Sequence, residues 1–200
     1  MGKPSVKRRA VFLDRDGVLT RPIVRDGRPY PPATLKEFKL YDDVREVCAD
    51  LAAAHFLLVV VTNQPDVGRG TQSRARVEAM HEKLRRSLPM LDRIETCYHA
   101  GERYEQICDC RKPKPGMLLR AAAALNIDLG ASFLIGDRWR DVDCAHAANC
   151  RAIFIERGYE EALRESPHFT VASFADALQV VLCVAPTELH SISRPPAGWG

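Results

Sequence analysis

The sequence predicts an α/β protein: a mostly parallel central sheet covered by helices on both faces, three layers in all. Three observations carry this. Residues 9–13, 56–61, 133–135 and 152–155 are apolar runs without the alternation of a half-exposed strand, so they suit strands buried on both faces. The stretches between them place apolar residues at helical spacing. Polar residues, aspartates above all, follow the runs directly, and in parallel sheets ligands sit beyond the carboxyl ends of the strands.

Taken in order, residues 1–8 read as a flexible lead-in, residues 9–185 as a single domain, and residues 186–200, with Pro195, Pro196 and Gly198, as a disordered tail or a surface strap. The first strand covers 9–13. Residues 21–41, with Pro22, Pro29, Pro31 and Pro32, show no sustained period and read as a long irregular excursion of functional character. Asp43 is placed to cap a helix over 44–54 with Val44, Val47, Cys48 and Leu51 on one face. After the strand 56–61, Thr62, Asn63, Gln64 and Pro65 form a polar loop. Ser73 caps a helix striped by Val77, Met80, Leu84 and Leu88. A weaker strand over 94–98 leads into a cysteine-bearing loop over 97–113. Pro115 and Gly116 then open a helix carrying Met117, Leu118, Ala121, Ala122 and Leu125. The strand 133–135 ends at Gly136 and Asp137, followed by a helix over 141–148 and the strand 152–155. A turn at Gly158, a strand near 169–171 and a helix over 173–183 complete the domain, with no internal repeat.

Composition bounds the function. With 28% charged and 46% apolar residues the chain is an ordinary globular one, and a net charge of +3 gives no case for nucleic acid. The basic cluster of Lys3, Lys7, Arg8 and Arg9 reads as a solvated tail. The apolar run 56–61 is too short to span a bilayer, and no cleavable apolar leader is visible, so a cytoplasmic, membrane-free protein is expected. Reduced thiols then assign the seven cysteines to metal, catalysis or burial rather than disulfides, and Cys48, Cys144, Cys150 and Cys183 read as core residues.

The chemistry begins at Asp14 and Asp16. Two carboxylates one residue apart at a strand end repel unless a cation or a shared proton relieves them, so a metal or proton-transfer site is expected. A calcium loop is excluded because its twelfth position is Arg25, where a bidentate Glu is required. Thr62 and Asn63 end the second strand, Lys112 precedes the helix opened by Pro115, and Asp137 and Asp141 follow the later strand. Oxygen-rich ligation of this kind suits Mg²⁺, while a hydroxyl, an amide, backbone N–H groups and a lysine suit phosphate oxygens. Cys97, His99, Cys108 and Cys110 offer three thiolates and one imidazole, a closed tetrahedral set for a structural Zn²⁺. Arg111 and Lys112 follow the last ligand directly, so the metal would aim both cations.

Asp14-Arg-Asp16-Gly-Val, Val61-Thr62-Asn63-Gln64, Lys112-Pro-Lys-Pro-Gly and Gly136-Asp137-Arg-Trp-Arg-Asp141 resemble the four motifs of the haloacid dehalogenase (HAD) superfamily, over about residues 9–160. The resemblance implies a Rossmann-like, HAD-like fold and a Mg²⁺-dependent phosphatase working through an aspartyl-phosphate. It makes Asp14 the nucleophile and Asp16 the acid and base. Thr62 and Lys112 become phosphoryl-holding residues. It places Mg²⁺ on Asp14, Asp137 and the main-chain carbonyl of Asp16, with Asp141 orienting these from behind. The zinc loop followed by Cys-Arg-Lys-Pro-x-Pro-Gly-Met resembles a narrower branch, the D,D-heptose 1,7-bisphosphate and histidinol-phosphate phosphatases, which lack a large cap domain. That implies a small phosphorylated metabolite: a heptose bisphosphate, with histidinol phosphate or another phosphomonoester as the alternative and a nucleic-acid 3′-end behind both; separately, a monomer is expected. Asn63, Gln64, Arg69 and Arg111 become substrate-binding candidates, Arg111 by its match to an arginine of that branch. The chain departs from the branch at Pro65-Asp66 and over 21–41, both where the leaving group would bind. A phospho-accepting receiver-like switch is the rival from another class, but it leaves Asp16 without a purpose. A nucleic-acid-binding zinc ribbon is disfavoured because the loop is short and carries acidic as well as basic residues.

Overall fold

The computed structural model describes residues 6–184, so the expected tail over 186–200 lies outside the described residues. In chain order the elements are β1 (Ala10–Leu13), a hairpin of β2 (Ile23–Arg25) and β3 (Arg28–Tyr30), α1 (Val44–Ala53), β4 (Leu57–Asn63), α2 (Pro65–Gly68) and α3 (Arg74–Ser87). Then come β5 (Arg93–Cys97), α4 (Gly116–Leu125), β6 (Phe133–Gly136), α5 (Trp139–Ala147), β7 (Arg151–Ile155), β8 (Phe169–Val171) and α6 (Phe174–Val184). Six strands form one sheet in the order β5-β4-β1-β6-β7-β8, and every pairing in it is parallel.

Successive side chains of a strand point to opposite faces, and here they sort into two apolar cores. Val11, Leu13, Leu58 and Val60 pack with α1, α3 and α6. Phe12, Leu57, Val59 and Val61 pack with α4 and α5. Both faces being covered is why these strands read as unbroken apolar runs. Central β1 pairs with β4 at Leu13↔Val60 and with β6 at Leu13↔Ile135. The three strands therefore end side by side, which brings Asp14, Thr62 and Asp137 to one corner.

Several boundaries differ from the expectations. The excursion over 21–41 holds the β2–β3 hairpin, whose turn is Asp26-Gly27 with φ of 48° and 67°. Asp-Gly is a strong hairpin signal, masked in the sequence by the prolines around it. Pro65 opens the short α2 rather than a loop, because the first position of a helix needs no N–H. Ser73 caps α3 by accepting from the Arg76 N–H at 3.2 Å, but Asp43 makes no such bond, its own backbone already being helical. Helix α5 starts at Trp139, two residues early, with Asp141 turned back to accept from the Arg138 N–H at 3.1 Å. Arg8, placed with the lead-in, bridges to Ile127. Cys48, Cys144 and Cys150 are buried, whereas Cys183 is exposed on the side of α6 away from Phe174, Ala177 and Val181. No helix among the described residues is long and apolar enough to cross a membrane.

Candidate active site

Lys112 is the hub of the corner. It is 3% exposed; its ammonium group donates to the Val61 carbonyl at 2.8 Å and pairs with Asp14 Oδ1 at 2.8 Å and Asp141 Oδ1 at 2.6 Å. Burial alone would favour the neutral amine, but the charges of Asp14 and Asp141 outweigh it and hold the proton on. Asn63 fastens the same residue from behind: its side-chain N–H donates to the Lys112 carbonyl and its oxygen accepts from the Lys112 N–H, each at 3.1 Å. The end of β4 thus locks the lysine to the end of β1.

Asp14, Asp137 and Asp141 present carboxylate oxygens all within 4.8 Å of one another. Burial raises the carboxyl of Asp14 to about 6, Asp141 adding to the shift and Lys112 opposing it. Burial, then Asp14 and Asp141, raise Asp137 well above the ordinary range. Both carboxylate oxygens of Asp137 are buried without a hydrogen-bond partner, a costly state for a polar group. Lys112 offsets one of three negative charges, and the two that remain equal the charge of a divalent cation. The donor set is all oxygen, as Mg²⁺ requires. Gly17 makes room for Asp137: its φ is +103°, and a Cβ there would fall 1.7 Å from Asp137 Oδ2.

Asp16 lives in a different environment. Burial pushes its pKa up, but the Arg15 guanidinium and hydrogen bonds from Arg15, Thr20 and Gln64 outweigh this and hold it below the ordinary value. Arg15 forks the carboxylate from Nη2 at 2.7 Å and Nε at 3.1 Å, Thr20 Oγ1 donates at 2.8 Å and Gln64 Nε2 at 3.0 Å. Arg15 itself is fully buried, stacked over Phe38 at 5.5 Å, and donates from Nη1 to His81 Nε2 at 3.1 Å. A guanidinium can only donate, so His81 is the neutral tautomer with its proton on Nδ1, facing Glu78 at 3.6 Å. Burial and Arg15 push His81 down to about 4. An arginine between two aspartates reads in sequence as a solvated charge. His81 was discoverable, because it lies on the Val77–Leu84 face of α3 at helical spacing.

A chamber of about 320 Å³ opens above these groups, lined by Asp14, Asp16, Thr62, Asn63, Arg69, Arg111 and Lys112, with Tyr30 and Pro29 of the hairpin as its far wall. The amides of Asn63 and Gln64, expected at the substrate, are engaged within the chain: Gln64 Nε2 bridges Asp16 and, at 2.9 Å, Thr62 Oγ1. Arg69 pairs with Asp66 at 3.0 Å, and Arg111 donates to the His99 carbonyl at 3.1 Å. Arg138 and Arg140 also line the chamber.

The cysteine loop leaves β5 at Cys97. Cys97 Sγ stands 3.7 Å from Cys108 Sγ and 3.6 Å from His99 Nδ1, Cys110 Sγ stands 3.3 Å from His99 Nδ1, and all four ligand atoms lie within 4.8 Å. Thiolates at ~2.3 Å from a tetrahedral Zn²⁺ stand about 3.8 Å apart, so the spacing fits that ion. Gly116 seats the second half of the loop, its N–H donating to the Asp109 carbonyl at 3.0 Å, where a Cβ would come within 2.3 Å of that oxygen.

Residues 109–177 match the HAD-hydrolase-like family model. The D-glycero-beta-D-manno-heptose-1,7-bisphosphate 7-phosphatase of Escherichia coli K12 is 40% identical over 148 residues, 70% of this chain and 74% of its own. The protein of the same name from Pasteurella multocida Pm70 is 34% identical over 184 residues, 87% of this chain and 97% of its own. Among solved structures, the D,D-heptose 1,7-bisphosphate phosphatase from B. bronchiseptica, complexed with magnesium and phosphate, superposes with a TM-score of 0.74 at 28% identity, covering 88% of this chain and 98% of that one. At these identities and coverages the chain belongs to the D-glycero-beta-D-manno-heptose-1,7-bisphosphate 7-phosphatases, within the HAD-like hydrolases.

Proposed function

We propose that this protein removes one phosphate from a heptose 1,7-bisphosphate through an aspartyl-phosphate on Asp14. The observation that carries this is the buried corner in which Asp14 lies against Lys112 while both oxygens of Asp137 lack a partner. It offers a nucleophile, a fixed cation and two carboxylate oxygens suited to a divalent metal. When bound on Asp14, Asp137 and the Asp16 carbonyl, Mg²⁺ would supply positive charge against the phosphoryl oxygens. Asp141, with one oxygen on Lys112 and the other on the Arg138 N–H, is suited to orienting that set from behind.

The Asp14 carboxylate attacks phosphorus as the bond to the leaving oxygen breaks, and Lys112 and the Thr62 hydroxyl hold the phosphoryl oxygens. Asp16 gives its proton to the leaving oxygen, then takes one from the water that opens the aspartyl-phosphate. The clamp of Arg15, Thr20 and Gln64 favours the carboxylate form that the second half needs, and an arriving phosphate dianion favours the protonated form that the first half needs. Asn63 and Gln64 serve by holding Lys112 and Asp16 beside the substrate, while Arg69 and Arg111 face its non-reacting end.

Zn²⁺ on Cys97, His99, Cys108 and Cys110 would fix the loop that carries Arg111 and Lys112. We assign these roles within one domain over residues 9–185, acting on a small sugar phosphate in the cytoplasm as a monomer. The test is phosphate release from heptose 1,7-bisphosphate, with and without Mg²⁺ and with the product's remaining phosphate located by NMR. Release at the 7-position that requires Mg²⁺ is the expected result. Turnover undiminished by exhaustive chelation would overturn the metal role, and no release would overturn the substrate.

A further inference from the structure

The reaction chamber continues past Arg111. A second cavity of about 600 Å³ opens over the cysteine loop, and Arg69, Arg111, Lys112 and Arg140 line both spaces. Arg140 stands on α5 directly before Asp141, so the helix that fixes the acid also fixes the arginine. Its carboxylate neighbour is Glu161 at 3.6 Å, and that group is already forked by Arg138, whose Nη2 lies 2.8 Å from Oε1. Arg111 donates from Nη1 to a neutral partner, the His99 carbonyl, at 3.1 Å. Around this junction the guanidinium groups of Arg69, Arg111, Arg138 and Arg140 face the carboxylates of Asp66 and Glu161. Arg69 is paired with Asp66 at 3.0 Å and Arg138 with Glu161 at 2.8 Å, so Arg111 and Arg140 add positive charge beyond these pairs, as a phosphate group needs.

Two guanidinium groups are also held by an aromatic ring. Arg140 and Arg164 lie over the Trp139 ring, their guanidinium carbons 5.3 and 3.5 Å from its centroid. A cation over an aromatic face is held in place but keeps its full charge. An anion entering between the two cavities would meet the remaining N–H groups of Arg111 and Arg140, which line both spaces.

We propose that Arg140 is a specificity-determining residue which, with Arg111, receives the second phosphate of a sugar bisphosphate where the two cavities meet. This rests on the phosphatase reading above and deepens it by naming the place and the residue that separate a bisphosphate from a monophosphate. The test compares wild type, Arg140→Gln and Arg140→Lys on heptose 1,7-bisphosphate and on p-nitrophenyl phosphate at fixed ionic strength. The ratio of the two kcat/KM values should fall about 10- to 100-fold in Arg140→Gln, chiefly through KM for the bisphosphate. It should fall by less in Arg140→Lys, which keeps the charge but not the fork and stands in if the glutamine variant does not fold. A ratio that stays at the wild-type value, whether both rates hold or both drop, overturns the inference alone. A wild type that releases phosphate from neither compound overturns the phosphatase reading and this inference with it.

Discussion

Two aspartates one residue apart are driven in opposite directions, and the cause is the company each keeps. Burial raises Asp14 to about 6, Lys112 opposing the shift and Asp141 adding to it, whereas Asp16, also buried, is wrapped by Arg15, Thr20 and Gln64 and falls below its ordinary value. Asp14→Asn should abolish phosphate release, since it removes both the nucleophile and a metal ligand. Asp16→Asn should cut turnover about 10²–10⁴-fold and let phospho-enzyme accumulate, detectable by mass spectrometry after rapid quench. Near-normal turnover in Asp14→Asn would sink the mechanism. The raised carboxyl also sets a pH dependence. As pH falls through about 6, Asp14 takes up a proton and ceases to be a nucleophile, so kcat/KM at limiting Mg²⁺ should drop there. Because the cation competes with that proton, saturating Mg²⁺ should move the acidic limb to lower pH, and a limb indifferent to Mg²⁺ would separate Asp14 from the metal. The carboxylate pair was legible in the sequence from spacing alone. The inward turn of Arg15 was not, since Phe38 and His81 arrive from distant elements.

Among the elements, the cysteine loop and the hairpin contrast most. The loop's four ligands lie within fourteen residues, Cys97 to Cys110, so their grouping could be read locally. The loop should depend on Zn²⁺ for its order, and the metal-loaded protein should contain about one zinc per chain, distinct from exchangeable Mg²⁺. Removing it, or changing Cys108 or Cys110 to Ser, should lower Tm and activity together without rescue by Mg²⁺, because Arg111 and Lys112 follow Cys110 directly. Zinc-free protein with an unchanged Tm would contradict a structural metal. The hairpin gave a weaker signal: its strands are three residues each and carry Pro29, and only their position over the chamber shows what they do.

For the whole molecule, substrate choice depends on how the two cavities join. Arg69 lies beyond β4 and Arg111 within the cysteine loop, yet both line both spaces. Changing either to Ala should lower kcat/KM far more for a sugar bisphosphate than for an aryl phosphate, the ratio of the two falling about tenfold. Equal losses on both compounds would assign these arginines to the reaction centre or the fold.

The order of strands and helices, the acids at the strand ends and the cysteine quartet were determined by the sequence alone. Each rests on short-range physics: side-chain period, turn chemistry and ligands close in the chain. What each polar group faces was decided only by the tertiary structure. Gln64 and Asn63 carry the same kind of amide side by side, yet one holds Asp16 and the other holds Lys112. Gly17 gives Asp137 room in a corner shared with Asp14 and Asp141, with the Tyr159 hydroxyl its neighbouring donor. Arg140 shares Glu161 at 3.6 Å with Arg138, which holds the same carboxylate at 2.8 Å. Such outcomes depend on competition among groups far apart in the chain, and in a buried, low-dielectric corner a difference of one ångström or one partner decides which pairing holds.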